Sequence, residues 1–98
     1  MRVRFTRTAK EQLIEIKSYI AKNNPQIASK HIKKITDRTK KMLTFPYIGK
    51  VNAVYNREDI REIIIEGYKI IYQVKPPEIF VLMIYKNIDF DESNLEIL

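Results

Sequence analysis

Apolar positions recur with two different periods along this chain, and the change of period divides it into elements. Between Ile60 and Lys86 the period is two. Ile60 to Glu66 sets Arg61, Ile63 and Ile65 on one face and Glu62, Ile64 and Glu66 on the other. Tyr68 to Lys75 alternates Tyr68, Ile70, Tyr72 and Val74 against Lys69, Ile71, Gln73 and Lys75. Side chains on a strand point to opposite faces in turn, so this is a half-buried strand. Glu78 to Tyr85 is apolar at almost every position after Glu78, which predicts cover on both faces and the deepest burial of the three. Gly67 and Pro76-Pro77 are connections too short for a parallel return, so the three strands form an antiparallel meander.

Upstream, Arg2, Arg4 and Thr6 alternate with Val3 and Phe5. That predicts a short strand at or near a sheet edge, where arginines discourage unwanted pairing. Thr8-Ala9-Lys10-Glu11 has the hydroxyl and carboxylate spacing of a capping box. Ala9, Leu13, Ile16 and Ile20 then recur at helical spacing as far as Asn23-Asn24. Asn24 and Pro25 open a second helix as N-cap and first helical residue. Its apolar seam is Ala28, Ile32, Ile35, Thr39, Met42 and Leu43, and its outward face holds Lys30, Lys33, Lys34, Arg38, Lys40 and Lys41, relieved by Asp37. The turn between the helices is short enough to force a hairpin.

Phe45 to Lys50 is a loop, Val51 to Tyr55 is a weak strand or an irregular run, and Asn56 to Asp59 is a polar turn. The tail from Lys86 to Leu98 reads as a strand extension, a terminal helical turn through Leu95 to Leu98, or a mobile segment. The predicted fold class is α+β: an N-terminal strand, then a helical hairpin packed on one face of a twisted antiparallel sheet of three to five strands.

Ninety-eight residues form one domain (residues 1 to 98) with a modest core. Without cysteine there is neither disulfide nor thiolate chemistry. The basic N-terminus lacks the apolar stretch of a signal peptide, and no run is long enough for a membrane span. A soluble, cytoplasmic protein with no membrane partner is expected. The formal charge of +6 hides an asymmetry: residues 89 to 98 hold Asp89, Asp91, Glu92 and Glu96 and no base, so the rest of the chain sets eighteen cations against eight carboxylates. Such a body attracts polyanions or acidic proteins over long range.

Catalytic constellations are scarce. His31 is the only histidine, on the lysine-rich helix, without a nucleophile or an orienting acceptor in view. One histidine and no cysteine cannot supply a metal site of the usual donors, so no metal and no cofactor is expected. Ser18, Ser29 and Ser93 lack a strand-to-helix elbow, and Gly49 and Gly67 make no phosphate loop. What remains is the polar face of the meander: Lys69, Gln73, Lys75, Glu62 and Glu66, with Lys50, Arg57 and Lys86 at its rim. Cations there can hold a phosphodiester and its transition-state charge, and Tyr47, Tyr55 or Tyr85 can stack on bases. The plainer reading is a solvated face with cross-strand Lys–Glu pairs. Tyr68 and Tyr72 pack under the helices, and Arg61, sharing a face with Ile63 and Ile65, anchors carbonyls or a carboxylate or serves as a rim cation.

With the elements in order, the chain resembles the RelE/ParE superfamily of type II toxin–antitoxin modules. The resemblance is carried by VRFTRTAKEQL, YIAKNNPQIA, FPYIGK, REIIIEGYKIIYQV and IFVLMIY, and it covers nearly the whole chain. It implies a growth-inhibiting toxin of the kind found in plasmid-stabilisation modules. A cognate antitoxin would wrap and neutralise it, and operator DNA would be a further partner of the toxin–antitoxin complex. RelE-like members cleave mRNA on the ribosome, whereas ParE-like members poison DNA gyrase. In the ribonuclease reading Lys69 stands where an arginine is common, with Arg61, Tyr85 and Lys86 as its helpers. Ile60 and Glu62 replace the lysines of that branch, and Lys86-Asn87-Ile88-Asp89 lacks its arginine or histidine. Arg61-X-Ile63 before Tyr68, with the Asn-Asn-Pro turn, looks more like ParE. A degenerate member that binds only antitoxin and operator DNA is the third reading.

Overall fold

The structure, a computed structural model, describes residues 1 to 87. Seven elements follow in order: β1 (Arg2–Phe5), α1 (Arg7–Ala21), α2 (Pro25–Met42), β2 (Lys50–Val51), β3 (Ile60–Ile65), β4 (Tyr68–Lys75) and β5 (Glu78–Lys86). The five strands form one sheet in the order β1-β5-β4-β3-β2, with the two helices on one face. No helix among the described residues is long and apolar enough to cross a membrane. The acidic tail lies outside the described residues.

The meander forms as its alternation predicts. β3 and β4 pair antiparallel, with Arg61 opposite Tyr72, Ile63 opposite Ile70 and Ile65 opposite Tyr68. Glu66 and Gly67 link them with φ of 52° and 81°, the two positive values that a two-residue type I′ hairpin requires. Glu66 therefore leaves the strand's parity. It lies on the helix side, where its carboxylate pairs with Lys34 and Arg38 of α2, and not on the reverse face beside Glu62. β4 and β5 join through Pro76-Pro77 with Lys75 opposite Glu78.

The sheet is mixed rather than wholly antiparallel. β1 lies at the edge, as its arginines suggest, and pairs parallel to β5 with Val3 opposite Ile79 and Phe5 opposite Val81. That places β5 inside the sheet, yet β4, not β5, is the most deeply buried strand. Ile70, Ile71, Tyr72 and Val74 of β4 are all buried, whereas Phe80, Leu82 and Met83 of β5 are only partly covered. A register shift on β5 opposite Ile71/Tyr72 explains its continuous apolar run. Val81 pairs with Tyr72 and Met83 with Ile71, so Leu82 is an extra residue that resets the parity.

β1 ends at Phe5, opposite Val81, so among the described residues β5 has no strand beside it on that edge beyond this point, and Thr6 and Gln12 supply partners there. The Thr6 hydroxyl donates to the Leu82 carbonyl at 3.2 Å, and the Gln12 side-chain oxygen accepts from the Ile84 N–H at 2.6 Å. Thr6 also caps α1 by accepting from the Ala9 N–H. The helix thus starts one turn-fraction earlier than the Thr8 capping box predicts, because a hydroxyl at Thr6 satisfies helix and sheet together. Asn24 caps α2 with Pro25 next, as expected.

Ala9, Leu13, Ile35 and Leu43 bury the hairpin's seam against Ile65, Ile70, Tyr72, Val74, Ile79, Val81 and Ile84, and Ala28 is fully buried as well. Met42 lies outside that seam, because α2 ends there and Leu43, its C-cap, turns inward instead. Thr39 is fully buried and donates to the Ile35 carbonyl at 2.7 Å, which makes it compatible with the core.

Candidate functional site

The face of the sheet turned away from the helices is where the polar candidates of β3 and β4 meet. Lys69 sits opposite Ile64 and Tyr85, and its ammonium reaches diagonally to Glu62 at 3.0 Å. Glu62 is 6% exposed. Its second oxygen accepts from the Asn52 side-chain amide at 3.3 Å. A carboxylate taken out of water needs such partners, since desolvation alone costs several kcal/mol. Lys50, opposite Glu62 on β2, completes the rim of a shallow pocket floored by Ile63, Ile64 and Lys69 and closed at one end by Asn87.

Asn52 organises the other half of this face. Its backbone N–H donates to the Ile60 carbonyl, and its side-chain oxygen accepts from the N–H groups of Val54 and Tyr55, both at 3.1 Å. The run after Val51 is therefore irregular rather than a longer strand. A side chain that mimics a backbone turn holds it in place. It presents Val54, 87% exposed, and Tyr55 at the edge of an open groove lined also by Ile71, Met83 and Tyr85, about 420 Å³ in volume. The reverse face is thus half apolar, where alternation on β4 alone predicts a mainly polar one.

The four residues named for the ribonuclease reading divide between the two sides. Lys69 and Tyr85 are cross-strand neighbours on the reverse face. Lys86 pairs with Tyr68 and borders Glu15, Ile16 and Tyr19 on the α1 side. Arg61, opposite Tyr72, also faces the helix side. Its guanidinium donates to the carbonyls of Gly49 (2.9 Å), Tyr47 (3.4 Å) and Glu58 (3.0 Å), pairs with the Glu58 carboxylate at 2.7 Å, and lies 4.9 Å from the centre of the Tyr47 ring. Among the alternatives for Arg61, the anchoring role is the one found, to carbonyls and to a carboxylate together. It ties the Phe45–Lys50 loop to β3.

The remaining candidates are engaged locally. The Gln73 amide donates to Asp59 at 2.8 Å, and Arg57 pairs with the same carboxylate. Hydrogen bonding from Gln73 is the chief influence holding the Asp59 carboxyl below its ordinary range; burial, next in size, opposes it, and Arg57 adds to the lowering. His31 lies against Tyr68, ring centres 5.7 Å apart. Lys75 is exposed at the end of β4. Asn52 and the burial of Glu62 escape a sequence reading. An asparagine in a loop carries no period, and nothing in the alternation of β3 says that loop 52–56 folds over it.

Chemically, this face offers a neutralised Lys69–Glu62 pair beside an apolar groove. That suits protein recognition better than proton transfer, because apolar cover with a few polar groups is the pattern of an interface core. Among curated protein sequences none matches this chain. A solved structure described as the chromosomal ParDE TA system from P. aeruginosa matches its fold with a TM-score of 0.74, at 23% identity, over 89% of this chain and 96% of that one. The family model described as the ParE toxin of the type II toxin–antitoxin system, parDE, matches residues 3–86. With that match across both helices and all five strands, the chain belongs to the ParE toxin family of type II toxin–antitoxin systems.

Proposed function

We propose that this chain inhibits growth by binding DNA gyrase, that it cleaves no RNA, and that a cognate antitoxin neutralises it by covering the groove formed by Val54, Tyr55, Ile71, Met83 and Tyr85. The family's general role is that of a toxin paired with an antitoxin and aimed at gyrase. The observation that carries the choice of binding over ribonuclease chemistry is the division of the cations. Lys69 is held to buried Glu62 on one side of the sheet, while Arg61 and Lys86 lie on the other. Stabilising a phosphodiester transition state needs its charged groups aimed at one point.

The test is to induce the chain without antitoxin, then assay gyrase supercoiling and map mRNA ends in the same cells. Loss of supercoiling with unchanged mRNA ends is expected. Cleavage at codon boundaries with intact supercoiling overturns the proposal in favour of the ribosome and mRNA as target.

A further inference from the structure

Six of the eighteen Lys and Arg residues lie on α2, against a single acid, Asp37. At about 100° per residue, Lys30, Lys33, Lys34, Arg38, Lys40 and Lys41 fall within an arc of about 160°. Ala28, Ile35 and Thr39, the buried residues of this helix, fall on the opposite side. All six cations are exposed. The stripe from Lys30 to Lys41 is about 16 Å long at 1.5 Å per residue. Lys33 is paired with Asp37, and Lys34 and Arg38 are paired with Glu66, which fixes them without cancelling the stripe. No carboxylate among the described residues forms an ion pair with Lys30, Lys40 or Lys41.

We propose that this outer face of α2 binds the phosphate backbone of duplex DNA without reading its sequence. The chemistry of the stripe selects that partner over the other polyanions. A protein partner needs an apolar or aromatic centre to its interface, and between Lys30 and Lys41 every exposed side chain is charged or is Thr or Ser-like in size, with the apolar Ile27 and Met42 only at the ends. A single-stranded nucleic acid needs aromatic rings on which bases stack. The one ring here, His31, is turned against Tyr68. Five of the six cations are lysines, compact point charges that lack the bidentate fork used on guanine edges. A straight row of such charges matches the closely spaced phosphates of a duplex, and binding follows from counterion release.

The full chain is titrated into a labelled 30-bp duplex of random sequence, followed by anisotropy from low to moderate salt. The expected log–log slope lies between about −3 and −5, the range set by three to six phosphate contacts. The triple substitution Lys30→Gln, Lys40→Gln and Lys41→Gln should weaken binding at least about tenfold and flatten the slope by about two to three. Lys10→Gln and Lys17→Gln on α1 with Lys22→Gln at its C-cap remove the same net charge from another surface and should cost less than about threefold. Melting curves of both variants check that they fold.

A wild-type slope near zero, or equal losses in the two triple variants, overturns the proposal. So does tighter binding of an acidic peptide than of the duplex, which would give this face to a protein. So does tighter binding of a single strand. The assay contains no gyrase, so this inference and the proposed growth inhibition fail separately.

Discussion

The Tyr72 hydroxyl, buried under the helices, accepts a hydrogen bond from the Gly49 backbone N–H at 2.9 Å, and so fastens the loop before β2 to the centre of the sheet. Arg61, directly opposite Tyr72, grips the same residue by its carbonyl at 2.9 Å. The backbone approaches so closely that a Cβ on Gly49 would lie 2.6 Å from the Glu62 carbonyl oxygen and 2.8 Å from the Tyr72 hydroxyl. Gly49→Ala should therefore destabilise the chain by about 2 kcal/mol or more, since neither a strand carbonyl nor a buried ring can move aside cheaply. Tyr72→Phe, which leaves the Gly49 N–H buried without its acceptor, should cost about 1–3 kcal/mol. Urea unfolding of the two variants checks both values. Wild-type stability in Gly49→Ala would show that the loop is not held.

The same contact sets an alkaline limit. Burial raises the Tyr72 hydroxyl above its ordinary pKa, opposed in part by the Gly49 N–H and the Arg61 charge. A group whose pKa is raised on folding contributes its stability in full below the unfolded pKa, about 10 for tyrosine, and loses it as pH rises through the folded value. Stability should fall above about pH 10, and Tyr72→Phe should fall less steeply there than wild type. Parallel slopes in the two proteins would remove Tyr72 as the cause.

Asp59 sets the acid limit by the opposite sign. Its pKa is depressed, first by the Gln73 hydrogen bond and then by Arg57. Its contribution is present above the unfolded carboxyl value, about 3.9, and is lost as pH falls through the lower folded value. Gln73→Leu should therefore lower stability at neutral pH, lose less stability than wild type as pH falls below about 4, and converge with wild type at the acid end. Unchanged neutral stability with an unchanged acid slope would mean that the Gln73–Asp59 bond is not formed in solution.

Much of this was readable from periodicity. The β4 alternation places Ile70 and Tyr72 under the helices and Lys69 and Gln73 away from them, and both are found there. Asn24-Pro25 marks the start of α2 because cap and first-turn chemistry are local. What escaped depends on contacts distant in sequence. Thr6 outcompetes Thr8 as the cap because Leu82, on the far side of the chain, needs its hydroxyl. Glu66 departs from alternation because the hairpin bends at that residue. On the reverse face, buried Ile71 borders the loop that Asn52 holds by bonds local to that loop. For the site, the pattern places Lys69 on the reverse face, but the bulge at Leu82 decides on which sides Tyr85 and Lys86 fall.

The Lys69–Glu62 pair should behave as a structural unit. Lys69→Met strands a nearly buried carboxylate, which in a fully enclosed site costs about 3–5 kcal/mol. Lys69 retains 27% of its side-chain exposure, so water screens part of that, and about 1–2 kcal/mol is expected. Adding Glu62→Gln removes the charge while keeping an oxygen for the Asn52 amide, and should recover most of the loss. A double-mutant cycle by thermal unfolding tests this. Additive losses would mean that the two groups do not interact.

The groove on the reverse face makes a separable prediction about the antitoxin. Val54 is 87% exposed and Tyr55 55% exposed, so neither contributes much to the fold, and Val54→Asp with Tyr55→Ser should leave the melting temperature within a few degrees of wild type. Burying a carboxylate against Ile71 and Met83 without a partner, however, costs far more than the apolar contact it replaces. Truncation of a central interface residue commonly costs 2 kcal/mol or more. Affinity for purified cognate antitoxin should therefore fall about thirtyfold or more, read by calorimetry. Unchanged affinity in a folded double variant would move the antitoxin off this groove, toward the exposed face around Tyr19, Tyr68 and Lys86. Combining Lys30→Gln, Lys40→Gln and Lys41→Gln with the groove substitutions then shows whether antitoxin and α2 compete, because independent surfaces give additive losses.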